Sequence, residues 1–175
     1  PGPDFFAAAF ALFRLGAVPV LIDPGLGRKS FGRCLNEAAP QAFIGIPLAH
    51  AAKLAFGWAP SVRIKVVVGR FGYPGAPTLD CVRALAPAAP FSAAETRAGD
   101  TAAILFTSGS TGAPKGAVYT HGNFAAQVDL LRERFHIEPG EVDLATFPLF
   151  GLFDPALGMT AVVPDMDFTR PGSVN

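Results

Sequence analysis

The sequence predicts an α/β fold in which helices flank a layered, mainly parallel sheet. Short apolar segments typical of strands alternate with helical patterns of about ten residues, as βαβ units require. Half of the 175 residues are hydrophobic, which is enough to bury a core. One apolar strand also runs directly into a loop of Gly, Ser and Thr. Parallel sheets usually bind their ligands at such loops.

The first half of the chain begins with an amphipathic helix. Phe6, Phe10 and Phe13 recur at helical spacing, with Asp4 as the predicted N-cap and Gly16 as the predicted end of the helix. The further predicted elements of this half are a strand at 18–22, a helix at 29–38, a strand at 42–46, a helix at 48–56 and a strand at 64–68.

The second half continues the alternation after a Gly/Pro-rich passage at 69–77. Its predicted elements are a helix at 78–85, a strand at 102–106, a strand at 116–120, a helix at 123–135 and a last strand at 142–147. We interpret residues 1–99 as a first αβ portion and residues 100–175 as the portion that carries the glycine-rich loop, both within one domain.

Composition and charge exclude several classes of function. The 14 basic and 14 acidic residues give a formal net charge of zero, without the basic face that nucleic-acid binding needs. The cysteines and histidines stand in no metal-binding spacing. His121 is interpreted as a helix-start residue that forms local hydrogen bonds, and no catalytic residue is predicted with certainty. No apolar stretch is long enough to span a membrane, so a cytoplasmic location is expected.

The ends of the chain and its low charge predict an incomplete domain. Charged residues make up only 16% of the chain, and the first residue is Pro rather than Met. We therefore expect further chain, or a partner, to cover part of the apolar surface.

Residues 107–116 form the segment whose composition points most directly to chemistry. They contain four hydroxyl side chains, three glycines and one lysine. Glycines let backbone N–H groups approach a phosphate, the hydroxyls add neutral donors, and Lys115 adds a positive charge. The segment therefore predicts binding of a polyphosphate.

Two common phosphate-binding motifs do not match this segment, and a flexible linker is a poor alternative. A P-loop needs Gly before its Lys and Ser or Thr after it, whereas Lys115 stands between Pro114 and Gly116. The dinucleotide fingerprint also fails, because Gly109 and Gly112 are three residues apart. A linker would not be expected between two apolar strands.

Residues 106–116 instead resemble the signature loop of the adenylate-forming superfamily. That family includes acyl-CoA synthetases, luciferase and the adenylation domains of peptide synthetases. Its pattern is an aromatic residue, Thr-Ser-Gly, Ser or Thr, Thr-Gly, any residue and Pro-Lys-Gly, and this chain matches every fixed position. Residues 116–123 and 15–24 are similar to two further family segments.

The resemblance implies that the chain is part of the large N-terminal domain of an enzyme that uses ATP and Mg²⁺ to activate a carboxylic acid. It assigns seven residues to the β- and γ-phosphates of ATP: Thr107, Ser108, Gly109, Ser110, Thr111, Gly112 and Lys115. The protein ligand of Mg²⁺ belongs to a later family motif that this chain lacks, so the chain alone is expected to be inactive.

A second segment, 147–151, resembles the strand end that lies near the acyl group in the family. The resemblance places Phe150 and Gly151 in an acyl or adenylate pocket, with Gly151 where many members carry a histidine. A glycine there is expected to leave room for a bulky or branched acid. The alternative is that the phenylalanines of this segment are ordinary core residues.

Residues 22–25, 42–49 and 147–160 resemble the bacterial olefin-biosynthesis branch of the family. This resemblance implies that a long-chain β-hydroxy acid is adenylated and then closes to a β-lactone. One alternative is a long-chain acyl-CoA synthetase, in which CoA is the second nucleophile. An alternative of another class is a non-catalytic nucleotide-binding module.

Overall fold

The computed structural model describes residues 2–85, 91–107, 114–147 and 149–166. Along these residues the helices are α1 (Pro3–Arg14), α2 (Arg28–Ala38), α3 (Pro47–Ala55), α4 (Leu79–Ala84), α5 (His121–Phe135) and α6 (Asp154–Leu157). The strands are β1 (Val20–Ile22), β2 (Ala42–Gly45), β3 (Ile64–Val67), β4 (Thr101–Thr107), β5 (Lys115–Thr120), β6 (Val142–Leu144) and β7 (Thr160–Val162). Short 3₁₀ turns occupy Pro24–Leu26 and Phe150–Leu152.

The strands form one three-stranded sheet in the order β1-β4-β5 and two parallel pairs, β2-β3 and β6-β7. In the first pair Ala42 lies opposite Ile64 and Gly45 opposite Val67, with α3 as the connection. A strand, a helix and a parallel strand make a βαβ unit. The predicted α/β class, with helices and parallel strands, is confirmed.

The described residues belong to two compact units. Unit 1 is built from Pro1–Pro19, Ala94–Ile104 and Val118–Asn175, and unit 2 from Val20–Ala93 and Leu105–Ala117. The division between residues 99 and 100 that the sequence suggests stays a prediction.

The core of unit 2 forms where α2 meets the segment after α3. Leu35, Ala59 and Val62 are buried, and partly buried side chains pack against them: Ile22, Phe31, Phe43 and Trp58. Gly32 faces the indole of Trp58 so closely that a Cβ at position 32 would overlap its Nε1 atom. The missing side chain of Gly32 therefore lets the indole pack against α2.

His50 is a buried core histidine of unit 2. Its Nδ1 lies 3.0 Å from the Tyr73 hydroxyl, and its Nε2 lies 3.1 Å from the Val66 carbonyl oxygen. Because a carbonyl only accepts, Nε2 is the donor of that bond, and the Tyr73 hydroxyl can donate to Nδ1. Both ring nitrogens have partners, so this residue has a structural role.

Unit 1 contains a cluster of aromatic rings around α5. Phe124 lies 6.0 Å from Phe13, 5.3 Å from Tyr119 and 6.0 Å from Phe153, measured between ring centroids. These contacts join α1, β5, α5 and the segment before α6. Aromatic pairs at such distances add to the free energy gained by burying their area.

The structure corrects two sequence predictions about helix and strand ends. The N-cap of α1 is Gly2, without a side-chain cap, and Asp4 lies in the first helical turn. Pro3 starts the helix earlier because its φ is already helical. The predicted strand at 142–147 ends at Leu144, where the Thr146 N–H donates to the Leu144 carbonyl (2.7 Å) and turns the chain.

A further strand, β7, was not predicted. It has only three residues, and its outer two are exposed, so it carries little hydrophobic signal. Helix α6 and the 3₁₀ turn before it were not predicted either. The remaining helices and strands were predicted to within a few residues, which is the usual uncertainty of element boundaries. None of the described helices is long and apolar enough to cross a membrane.

The two cysteines lie in different environments of unit 2. Cys34 is buried on α2, and Cys81 is exposed on α4. Burial, together with the negative charge of Glu37, raises the pKa of the Cys34 thiol.

Replacing Gly32 with Ala is expected to destabilise the chain by about 1–2 kcal/mol. The added methyl group overlaps the Trp58 indole, and this overpacking outweighs the higher helix propensity of Ala, which is worth up to about 1 kcal/mol. Urea unfolding followed by the fluorescence of Trp58, the only tryptophan, measures the change. Gly99→Ala is the matched control, because a Cβ there meets nothing within 4 Å. A Gly32→Ala chain as stable as the wild type would contradict this account.

Candidate functional site

The predicted phosphate loop connects two neighbouring strands. β4 ends at Thr107, and β5 begins at Lys115, next to β4 in the sheet order. Both residues belong to unit 2 and are exposed. The other five predicted phosphate ligands, Ser108, Gly109, Ser110, Thr111 and Gly112, lie outside the described residues. The structure thus describes the two ends of the loop, one with a hydroxyl and one with an ammonium group.

The first backbone N–H groups of α5 all have protein partners. The His121 N–H donates to the Asp100 carbonyl (3.1 Å), and the Gly122 N–H donates to the Ala98 carbonyl (2.8 Å). The Asn123 N–H donates to Thr120 Oγ1 (3.1 Å) in a capping box. In a P-loop the corresponding N–H groups face the phosphates. Here they are bonded within the protein, so they are not free to bind an anion.

His121 lies at the first position of α5. Its backbone forms the hydrogen bond to Asp100, and its ring lies 6.4 Å from the ring of Phe13 in an edge-on contact. His121 is thus the predicted helix-start residue, but its backbone hydrogen bond joins it to the distant Asp100 rather than to a local partner.

Phe150 and Gly151 begin the 3₁₀ turn before α6. Phe150 is 67% exposed and lies 5.1 Å from the Phe147 ring, whereas Gly151 is buried. A Cβ at position 151 would lie 2.9 Å from the Ala145 Cβ and 3.0 Å from Cε1 of Phe6. The room expected beside this glycine is therefore filled by Phe6 and Ala145. Assignment of Phe150 and Gly151 to an acyl pocket stays a prediction.

Asp154, which sequence reasoning did not single out, is a buried carboxyl group at the start of α6. It is 4% exposed, and its Oδ2 has no hydrogen-bond partner among the described residues. Burial, the negative charge of Asp143 and a hydrogen bond with the Asp143 side chain raise its pKa to about 6. The signal in the sequence was an acidic residue inside the apolar run 147–157.

The described residues contain no group of three or more His, Cys, Asp or Glu side chains placed to hold a metal ion. The described ends of the loop likewise offer a hydroxyl and a cation but no carboxylate. Such a donor set suits phosphate oxygens rather than Mg²⁺, which prefers carboxylate ligands.

Comparison with known proteins relates nearly the whole chain to one family. The model of the family described as AMP-binding enzyme matches residues 1–163. Olefin beta-lactone synthetase of Stenotrophomonas maltophilia is 57% identical, and that of Xanthomonas campestris pv. campestris is 55% identical, each over 100% of this chain. The chain spans 32% of the length of both relatives.

A solved structure shares the fold. The anthranilate CoA ligase AuaEII, crystallised in complex with anthranoyl-AMP, superposes with a TM-score of 0.79 at 19% identity. The match covers 93% of this chain and 33% of that protein.

The raised pKa of Asp154 predicts a pH-dependent stability. Because its pKa is about 6 in the folded chain and 3.8 ordinarily, the folded state binds this proton more tightly than the unfolded state. The resulting stabilisation is complete below pH 3.8 and is lost as the pH rises through about 6. Asp154→Asn removes the ionisation and keeps a donor for Asp143, so it is expected to raise stability at pH 8 by on the order of 1–3 kcal/mol.

Urea unfolding of the wild type and of Asp154→Asn at pH 4 and pH 8 measures the difference in their free energies of unfolding. This difference should be smaller at pH 4. Asp129→Asn is the control, because it makes the same charge change at an exposed carboxylate of unit 1. An Asp154→Asn chain that is less stable than the wild type by the same amount at both pH values would show that ionisation is not responsible.

Proposed function

The chain belongs to the AMP-binding enzyme family, and we propose that it carries the pyrophosphate loop of an enzyme that activates a carboxylic acid with ATP. The observation that carries this proposal is the complete loop pattern at 106–116, whose ends are the adjacent strands β4 and β5. The activity is proposed for a protein of the relatives' length, of which this chain is about a third.

The proposed first step is attack of a carboxylate oxygen on the α-phosphorus of ATP. The bond from that phosphorus to the bridging oxygen breaks, which gives an acyl-adenylate and pyrophosphate. Charge builds up on the departing pyrophosphate, and the loop N–H groups, its hydroxyls and Lys115 would stabilise it. Mg²⁺ would supply further positive charge when bound with ATP. The hydroxyl and the ammonium group at the described ends of the loop are not the carboxylate ligands that Mg²⁺ prefers.

The proposed second step is closure to a β-lactone. The β-hydroxyl oxygen of the acid attacks the acyl carbon, the bond to the AMP oxygen breaks, and the hydroxyl proton is released. The 55–57% identity of the two olefin beta-lactone synthetases over the whole chain supports this step. A long-chain β-hydroxy acid is therefore the proposed substrate.

The test measures AMP and pyrophosphate release by the full-length protein, with ATP and a long-chain acid, with and without CoA. A β-hydroxy acid is expected to turn over without CoA and to give a β-lactone. Turnover of a simple fatty acid only in the presence of CoA would identify an acyl-CoA synthetase instead. ATP binding without turnover of either acid would indicate a non-catalytic module.

Replacing Lys115 with Ala is expected to lower kcat for pyrophosphate release on the order of a hundredfold. The substitution removes the positive charge at the end of the loop, where the leaving group would gain negative charge. Lys29→Ala is the control, since Lys29 is an exposed lysine on α2 of the same unit. Equal effects of the two substitutions would argue against a role for Lys115 in the loop.

A further inference from the structure

A small cavity in unit 2 is lined by α3, β3 and the segment that follows β3. Its volume is about 270 Å³, just below the roughly 300–1,000 Å³ typical of sites for drug-sized ligands, so it suits a smaller molecule. One face of α3 lines the cavity with residues at helical spacing: Pro47, His50, Ala51 and Leu54. Val67 of β3 and Phe71 add further apolar wall.

His50 and Tyr73 form a polar pair in the wall of this cavity. His50 is 5% exposed, and Tyr73 is held by a turn in which it exchanges backbone hydrogen bonds of 3.1 and 2.8 Å with Ala76. In the neutral imidazole, Nε2 donates to the Val66 carbonyl, so Nδ1 accepts the proton of the Tyr73 hydroxyl. The hydroxyl therefore has no proton left to donate to an anion.

Two lysines, Lys53 and Lys65, supply the charge of the cavity. None of the described residues that line it is acidic. Both lysines are half-buried, and no ion pair within the described ranges involves either of them. Lysine stems pack along apolar surface while the ammonium group stays in contact with water. The cavity thus combines an apolar wall with two positive charges that no acidic side chain of the described residues neutralises.

We propose that this cavity binds a medium-chain alkyl carboxylate. The ammonium groups of Lys53 and Lys65 hold the carboxylate by charge-assisted hydrogen bonds. The alkyl chain packs on Val67 and covers Leu54 and Phe71, which are 85% and 80% exposed without it. The site goes beyond the proposed function and does not depend on it, because none of its residues belongs to the loop at 106–116.

The test measures how decanoate protects Lys53 and Lys65 of the full-length protein from acetylation by an N-hydroxysuccinimide ester, with mass spectrometry of each lysine. This readout is specific to the cavity, so binding elsewhere in the protein is not counted. At about ten times the half-saturating concentration, decanoate should slow acetylation of both lysines about tenfold, because only about one molecule in ten is then unoccupied. The exposed Lys29 of α2 is the internal control and should react at an unchanged rate.

Two probes and two pairs of variants separate the contributions of charge and space. Decyltrimethylammonium, with the same alkyl chain and the opposite charge, should not protect, and decanol should protect less than decanoate. Lys53→Gln should raise the half-saturating concentration measured at Lys65 on the order of tenfold, whereas Lys29→Gln should not change it. Ala51→Leu fills the cavity and should remove the protection. Ala55→Leu is its matched control, because Ala55 is an exposed residue of the same helix that does not line the cavity.

Equal protection by decanoate and decyltrimethylammonium would overturn the inference, and so would protection that persists in Ala51→Leu. Lys53 and Lys65 that do not react even without decanoate would also overturn it, since further chain of the full-length protein would then fill the cavity. Slowing of Lys29 to the same extent would show a general effect of the fatty acid instead of binding at this site.

Discussion

Hydrogen bonding between β4 and β5 fixes where the glycine-rich loop begins and ends. Fixing the backbone of a glycine costs more conformational entropy than fixing that of any other residue. Holding a glycine-rich loop around an anion therefore has a high entropic cost. Thr107 and Lys115 are the strand residues that flank this loop. The hydroxyl and the ammonium group at the two ends are already placed by the sheet.

The start of α5 explains why this loop differs from a P-loop in its chemistry. A P-loop combines glycine backbone with the free N–H groups of the helix that follows. Here the N–H groups of His121, Gly122 and Asn123 are bonded to protein oxygens, and a whole strand separates the loop from the helix. In the proposed function, the neutral hydroxyls of the four Ser and Thr residues among the ten loop positions would take the place of those helix N–H donors.

The alternation of strand-like and helix-like segments in the sequence was sufficient to predict the α/β class and most of the helices and strands, because long periodic segments carry a strong signal. The pattern failed at two of the short strands: β7, with three residues, was not predicted, and β6 ends before the apolar residues that suggested its continuation. Local motif reasoning predicted the phosphate loop, because its proposed ligands lie close together in the sequence. It could not find Phe6 beside Gly151 or Asp143 beside Asp154, since each pair joins residues that only the folded chain brings together.

The contrast between the two cysteines makes the chain suitable for site-selective labelling. A thiol-reactive probe should modify the exposed Cys81 first, because Cys34 is 1% exposed and its raised pKa leaves less of the reactive thiolate. Modification of Cys34 then requires α2 to separate from the core of unit 2. The slow phase of a labelling reaction would therefore report the opening rate of that core, while a dye on Cys81 leaves the core packing intact.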